Sequence, residues 1–577
     1  MTTDRSLRGG QGMDIDWDVP IEMDDGISLR ADVYRPAGDG RHPVILSYGP
    51  YGKGLHFGDG SPRQWDRLVR DHPDVALGSS NSYQCYELVD PERWVPDGYV
   101  CVRVDSRGAG RSPGELDPWS PRETHDLYEC IEWAGTQVWS NGRVGLSGIS
   151  YYAINQWQVA ALEPPHLAAL CVWEGASDLY RELAYHGGIH CTFADLWYRG
   201  RVVHLQHGLG ERGPTSRFTG DLVSGPDTLS DEVLESRRVD FGALLRAHPM
   251  FDEYWAERVP DLSEIRVPLL SAGNWGGAGL HLRGNIEGFT RAGSDEKWLE
   301  MHGLEHWTEY YTDHGVGIQR QFFDHFLKDD ENGWKDRPRL QLQVRHVDGS
   351  FSSRGESEWP LTRTKWIELY LSPRTATLDD ECDEVASHSF YESTGEGITF
   401  LARSFDRETE ITGPLSCKLF VSSDSEDADL FVIVRAFAPD MSEVTFQGAN
   451  EPDVPMAQGW LRASHRELDP DLSRPYRPFH THRVPQPLTP GEIYELEVEI
   501  WPTCLVLPAG YRIGVTIRGR DYAYPGRPEA KRSPVRTGVG PFPFRHDATD
   551  RIVDTALTVH GGGEHRSRLL VPVIPPD

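Results

Sequence analysis

No stretch of the 577-residue sequence approaches the ~18 apolar residues in a row that a membrane-spanning helix needs, so no helical anchor is expected. Positive charge is scarce: 58 Lys and Arg against 89 Asp and Glu leave a net charge of −31. A chain of that sign repels phosphate backbones and anionic lipid surfaces, so neither nucleic acid nor membrane is an expected partner. The eight cysteines (Cys85, Cys101, Cys130, Cys171, Cys191, Cys382, Cys417, Cys504) include no C-x-x-C pair. Scattered thiols of this kind read as reduced, mostly buried side chains of a cytoplasmic protein. His186 and His190-Cys191 have ligand-like spacing, but no second cluster completes a zinc site, so neither metal nor cofactor is expected. The start, Met1-Thr2-Thr3-Asp4-Arg5, lacks the apolar run of a secretory leader, and Gly9-Gly10-Gln11-Gly12 reads as a loose tail.

What is present exceeds one core: 577 residues, 38% of them hydrophobic, imply two or three domains. Asp16–Met23 and Ser28–Tyr34 flank the turn sequence Asp24-Asp25-Gly26 and read as a hairpin. Pro43–Tyr48 and Gly98–Asp105 are short apolar runs, separated by a polar insertion with one helix-like piece near Gln64–Val69. A helical pattern over Glu123–Gly135 leads into the run Val144–Ile149, and Leu167–Trp173 follows. Strands alternating with helices predict a parallel sheet covered on both faces, with ligands at the carboxyl ends of its strands. From Leu179 to Pro260 the pattern changes to His, Arg, Tyr and Trp with no clear strands, which reads as an inserted helical cap. The sheet resumes at Val267–Ala272 and Lys297–Met301, followed by a helix with Ile318, Phe322 and Phe326 four apart. Beyond Pro338 the period is two, as in Leu340, Leu342 and Val344, or Tyr494, Leu496, Val498 and Ile500, which predicts an all-β jelly-roll sandwich. The expected organisation is an α/β-hydrolase domain from 1–178 and 261–337, a helical cap at 179–260, and the jelly roll at 338–577.

The chemistry centres on Gly148-Ile149-Ser150-Tyr151, a strand, a tight turn, a serine and a helix, which is how a nucleophile elbow is written. A hydroxyl there is pushed out of the sheet, but it is a weak nucleophile without a base and an orienting acid. Ser150 is the candidate nucleophile. Ser147 competes, but it lies within the strand. His306, in a loop after a late strand, is the candidate base, with His302 its nearest rival. The acid is harder to place, because the loop Gly273-Asn274-Trp275-Gly276-Gly277 has no carboxylate. Glu174, at the end of the strand beside the nucleophile strand, is the preferred acid. Asp178 stands second, and Asn274, which could orient a neutral imidazole, third. The Tyr51 hydroxyl and the Tyr151 N–H are the candidate oxyanion donors.

These residues carry a family resemblance. Gly49-Pro50-Tyr51-Gly52-Lys53, Trp94–Val100, Asp105–Gly114, Gly148–Tyr151, Ser177–Arg181, Gly303–His306 and Leu507–Arg512 together make the chain similar to the cocaine-esterase-like and X-prolyl dipeptidyl-peptidase hydrolases. That resemblance implies an α/β-hydrolase domain, a helical cap and a C-terminal jelly roll, with Ser150 as nucleophile, His306 as base, and Tyr51 plus the Tyr151 N–H as oxyanion hole. The chain departs from the family at Ala153, where the motif has glycine, and at Gly273–Gly276, where the family aspartate is absent. The expected function is hydrolysis of small-molecule carboxylic esters or amides through an acyl-enzyme, with X-prolyl dipeptidyl-peptidase activity and a non-catalytic binding scaffold as alternatives. A homo-oligomer is compatible with the sequence.

Overall fold

The computed structural model describes residues 7–9, 12–522, 524 and 552–576. The expected loose tail is in part a strand: β1 (Leu7–Gly9) pairs with β2 (Met13–Glu22), while Gly10 and Gln11, like the start Met1–Arg5, lie outside the described residues. β2 and β3 (Ser28–Pro36) form the hairpin around Asp24-Asp25-Gly26, and β3 pairs antiparallel with β5 (Val100–Asp105). From β5 the sheet is parallel, in the spatial order β5, β4 (His42–Gly49), β6 (Ser140–Ile149), β7 (Leu167–Trp173), β8 (Leu269–Asn274), β9 (Lys297–His302) and β10 (Leu340–His346). β5 and β8 are buried at every position, as a sheet covered on both faces requires.

The covering helices follow from caps and apolar stripes. α1 (Pro121–Gly135) starts with Pro121 at its first position and the Ser120 hydroxyl accepting from the Glu123 N–H. α2 (Tyr151–Ala160) is buried at every residue, directly behind Ser150. α3 (Leu282–Arg291) covers β8, and α4 (Asp313–Lys328) buries Ile318, Phe322, Phe323 and Leu327. The Ala153 methyl, the departure from the family motif, is taken up by Gly175: a Cβ there would lie 2.8 Å from the Ala153 Cβ.

The segment 179–260 carries short helices, among them Phe193–Trp197, Asp231–Ser236, Phe241–Ala247 and Glu253–Ala256. It also holds one small ladder, Tyr185–His186 against Ile189–His190, which corrects the expectation of no strands. Two-residue strands are too short to show alternation.

Among the described residues the C-terminal part is built of β-strands, with one short helical turn at Ala463–His465. Its longest strands, Thr409–Ser423 and Tyr494–Leu507, pair antiparallel, and their inward Leu419, Leu496, Val498 and Ile500 share one core with Val432, Val515 and Leu569. All eight cysteines are free thiols, seven of them buried. β10, expected as the first strand of this part, pairs parallel with β9 on one side and touches Tyr494–Leu507 at Arg345 and His346, so one sheet runs from one part into the other. A second junction lies at Ala449, whose carbonyl accepts the His306 N–H (2.9 Å) and whose N–H donates to the Gly276 carbonyl (3.0 Å). The approach is closed by two glycines: a Cβ on Gly276 would lie 2.5 Å from the Gly448 Cα. Backbone cannot swing aside, so Gly276→Ala is expected to destabilise this junction by about 1–3 kcal/mol. A lowered urea-unfolding midpoint checks it, and an unchanged midpoint would show that the junction is not tight.

Candidate active site

Ser150 sits where β6 turns into α2, with φ 59° and ψ −110°, a conformation rarely adopted by a non-glycine residue. Its N–H donates to the carbonyls of Trp173 (3.1 Å) and Glu174 (3.2 Å), which pins the turn to the end of β7. The Tyr151 N–H opens α2, and like every first-turn donor it has no carbonyl four residues back within the helix. Ser147 is excluded as nucleophile: it is fully buried and its hydroxyl pairs with the Tyr310 hydroxyl (2.9 Å).

Glu174, also at positive φ (48°), has no solvent exposure. Its Oε2 accepts from His306 Nδ1 (2.6 Å), and its Oε1 accepts from His302 Nε2 (3.2 Å) and Asn274 Nδ2 (3.3 Å). Burial alone would push this carboxyl up, but the two imidazoles outweigh burial and hold it down at about 2. His302 is no rival base, because its other nitrogen is tied to Glu300 (2.6 Å) and the ring is completely enclosed. Asp178 faces elsewhere, paired with Arg181 (2.6 Å). Asn274 does not reach an imidazole: it donates to Glu174 and to the Leu304 carbonyl (3.1 Å) and accepts from the Gly276 N–H (2.8 Å).

The base is where the geometry departs from expectation. The second nitrogen of His306, Nε2, donates to Glu87 Oε1 (3.1 Å), and the hydrogen-bond partner of the Ser150 hydroxyl is His281 Nε2 (3.1 Å). The His281 and His306 rings stack, with centroids 5.3 Å apart and planes 17° apart. Burial disfavours a charged His306, but Glu174 and Glu87 on either side overcome it and raise its pKa to about 10. Glu87 reaches the site from the polar insertion at positive φ (63°), and burial pushes its carboxyl up. Sequence reasoning missed both Glu87 and His281. The one signal for His281 was its place at the end of the same loop as Asn274.

Tyr51 follows β4, and its hydroxyl accepts from Trp197 Nε1 (2.9 Å), which leaves its own hydrogen free to donate. Burial keeps this phenol protonated. Trp197 stacks on Trp119 (4.8 Å), which stacks on Tyr151 (4.5 Å), and the Tyr151 hydroxyl donates to buried Glu123. Both candidate oxyanion donors are therefore fixed by packed aromatics. Among the described residues, one triple, Asp24, His125 and Glu129, brings possible metal-ligand atoms together; its Asp and His are solvent-exposed, and none of the three belongs to the serine and histidine cluster.

Comparisons with known proteins give the family. Residues 25–308 match the X-Pro dipeptidyl-peptidase (S15 family) profile, and residues 332–570 match the X-Pro dipeptidyl-peptidase C-terminal non-catalytic domain. A crystal structure of a CocE/NonD family hydrolase from Staphylococcus aureus superposes with a TM-score of 0.84 at 34% identity, over 97% of this chain and 94% of that one. The chain belongs to the CocE/NonD hydrolase family. Cocaine esterase from Rhodococcus sp. is 24% identical over 96% of this hydrolase and 98% of the esterase. A putative Xaa-Pro dipeptidyl-peptidase from Streptomyces avermitilis is 23% identical over 85% of this chain and 76% of its own. An α-amino acid ester hydrolase shares the fold, with a TM-score of 0.69 at 16% identity. This hydrolase is thus an α/β-hydrolase-like domain joined to a C-terminal β domain, and its activity is of the serine type.

A histidine acts as a base only when neutral, and the two carboxylates favour its charged form. If His306 is the base, the acid limb of kcat/KM is expected above the ordinary imidazole range, with activity rising as the pH rises through the His306 pKa. Glu87→Gln removes one of the two negative charges, so the limb is expected to move to lower pH, by about one unit or more. A pH profile on a p-nitrophenyl ester checks this, and an unmoved limb would contradict the Glu87–His306 pairing.

Proposed function

We propose that this hydrolase cleaves small-molecule carboxylic esters through an acyl-enzyme, with Ser150 as nucleophile, His306 as base and Glu174 as the orienting acid. The observation that carries the reading is the 2.6 Å bond from His306 Nδ1 to a fully buried, ionised Glu174, one strand away from a serine on a strained strand-to-helix turn. Once substrate displaces Glu87 and His306 loses a proton, His306 Nε2 accepts the Ser150 hydrogen as Oγ attacks the acyl carbon. The Tyr51 hydroxyl and the Tyr151 N–H hold the oxygen that becomes negative. His306 then returns the proton to the departing alkoxide, which leaves as an alcohol. Water repeats the sequence to release the acid and regenerate Ser150.

In this reading residues 1–178 and 261–337 form the catalytic domain, the segment 179–260 is a cap over the pocket, and 338–577 is a jelly roll that buttresses the two catalytic loops. The cap contributes Trp197 to the oxyanion side. A cytoplasmic location fits the free thiols. An X-prolyl dipeptidyl-peptidase is the second reading, favoured by the S15 profile and by a buried carboxylate, Glu87, that could hold a substrate ammonium. The complete Glu174–His306 pair counts against a non-catalytic scaffold.

Ser150→Ala is expected to abolish p-nitrophenyl ester turnover and fluorophosphonate labelling while the circular dichroism spectrum is unchanged. Retained turnover would remove Ser150 from the mechanism. Faster cleavage of Ala-Pro-anilide than of simple acyl esters would favour the peptidase reading.

A further inference from the structure

His281 has no part in the mechanism just described, yet it touches the reacting oxygen. Its ring is 1% exposed, its Nε2 is 3.1 Å from Ser150 Oγ, and its Nδ1 is buried with no hydrogen-bond partner among the described residues. A neutral imidazole carries its one proton on one of the two nitrogens. A proton on Nδ1 would leave a buried N–H donor unpaired, which is rarer and costlier than an unpaired acceptor. The proton therefore belongs on Nε2, which donates to Ser150 Oγ. The Ser150 hydroxyl, having accepted there, must send its own hydrogen elsewhere. A base role is disfavoured, because a proton gained by His281 would place a second cation against the His306 imidazolium, ring on ring. Burial and that neighbour hold His281 well below the usual imidazole range, so it stays neutral.

We propose that His281 is a catalytic residue of this hydrolase, a fixed neutral donor whose Nε2–H steadies the negative charge on Ser150 Oγ. That charge develops twice: when the hydroxyl gives up its proton in acylation, and when Oγ is expelled from the second tetrahedral intermediate in deacylation. A donor already in place needs no reorganisation at either moment. The proposal rests on the assignment of Ser150 as nucleophile and His306 as base.

The test is steady-state p-nitrophenyl acetate hydrolysis across pH by His281→Leu, His281→Gln and His281→Asn, with fluorophosphonate labelling mapped by mass spectrometry. His281→Leu is expected to lose about 100-fold in kcat, the usual cost of one such donor, with KM unchanged. A glutamine amide reaches the Nε2 position, so His281→Gln is expected to recover most of the loss and keep the acid limb. An asparagine amide reaches only the Nδ1 position, so His281→Asn is expected to be as slow as the leucine variant, and it serves if the leucine variant does not fold. Wild-type kcat in the leucine or asparagine variant overturns the proposal. So does a glutamine variant as slow as the leucine one, which would make His281 a base. Failure of the underlying assignment looks different: the label in the wild-type enzyme would then not map to Ser150.

Discussion

A carboxylate with no contact to water stays ionised only if the protein supplies the hydrogen bonds and positive charge that water would have given it. Glu174 is such a group, and much of the molecule is arranged to satisfy it. Three donors converge on its two oxygens from three different places: His306 from the loop after β9, His302 from the end of β9, and Asn274 from the end of β8. The carboxylate in turn fixes the direction of the His306 ring. Its own position is set by the turn after β7, where the backbone carbonyl of Glu174 accepts the Ser150 N–H, so Ser150 and Glu174 are tied to each other through the main chain.

The proposed assignment accounts for the departure at Gly273–Gly276: the loop that carries the family aspartate here carries Asn274, and a buried carboxylate, Glu174, stands one strand nearer Ser150. An amide is the suitable neighbour for a displaced carboxylate, because it donates to that carboxylate, whereas a second acid would repel it. The C-terminal β domain belongs to the same arrangement. Through Ala449 it holds the main chain of both loops, at Gly276 and at His306.

Much of this was legible in local pattern. The alternation of apolar runs and helical stripes points to the parallel sheet, because each strand buried on both faces leaves a continuous apolar signature. Ser150 is legible because strand, turn and helix are adjacent in sequence, and Glu174 because the end of the strand next to the nucleophile is a defined place. What stayed hidden depends on how distant segments approach each other. Glu87 arrives from an insertion whose composition is merely polar, and His281 precedes a helix whose start shows no side-chain cap. Neither position has a periodicity that would mark it. The sharing of β10 between the two sheet regions was hidden for the same reason: alternation along a strand says which residues are buried, not which neighbours it pairs with.

On the proposed mechanism Glu174 does the work of the missing aspartate by keeping the His306 proton on Nδ1 and Nε2 free to serve Ser150. The most direct test is the acylation rate of Glu174→Gln, measured in single turnover with excess enzyme. Removing the charge while keeping the shape of such an acid costs about 10⁴-fold in a serine hydrolase triad. Glu174→Gln is therefore expected to lose about three to four orders of magnitude. Acylation within about tenfold of the wild-type rate would contradict it, because then the ring would not depend on this carboxylate for its orientation.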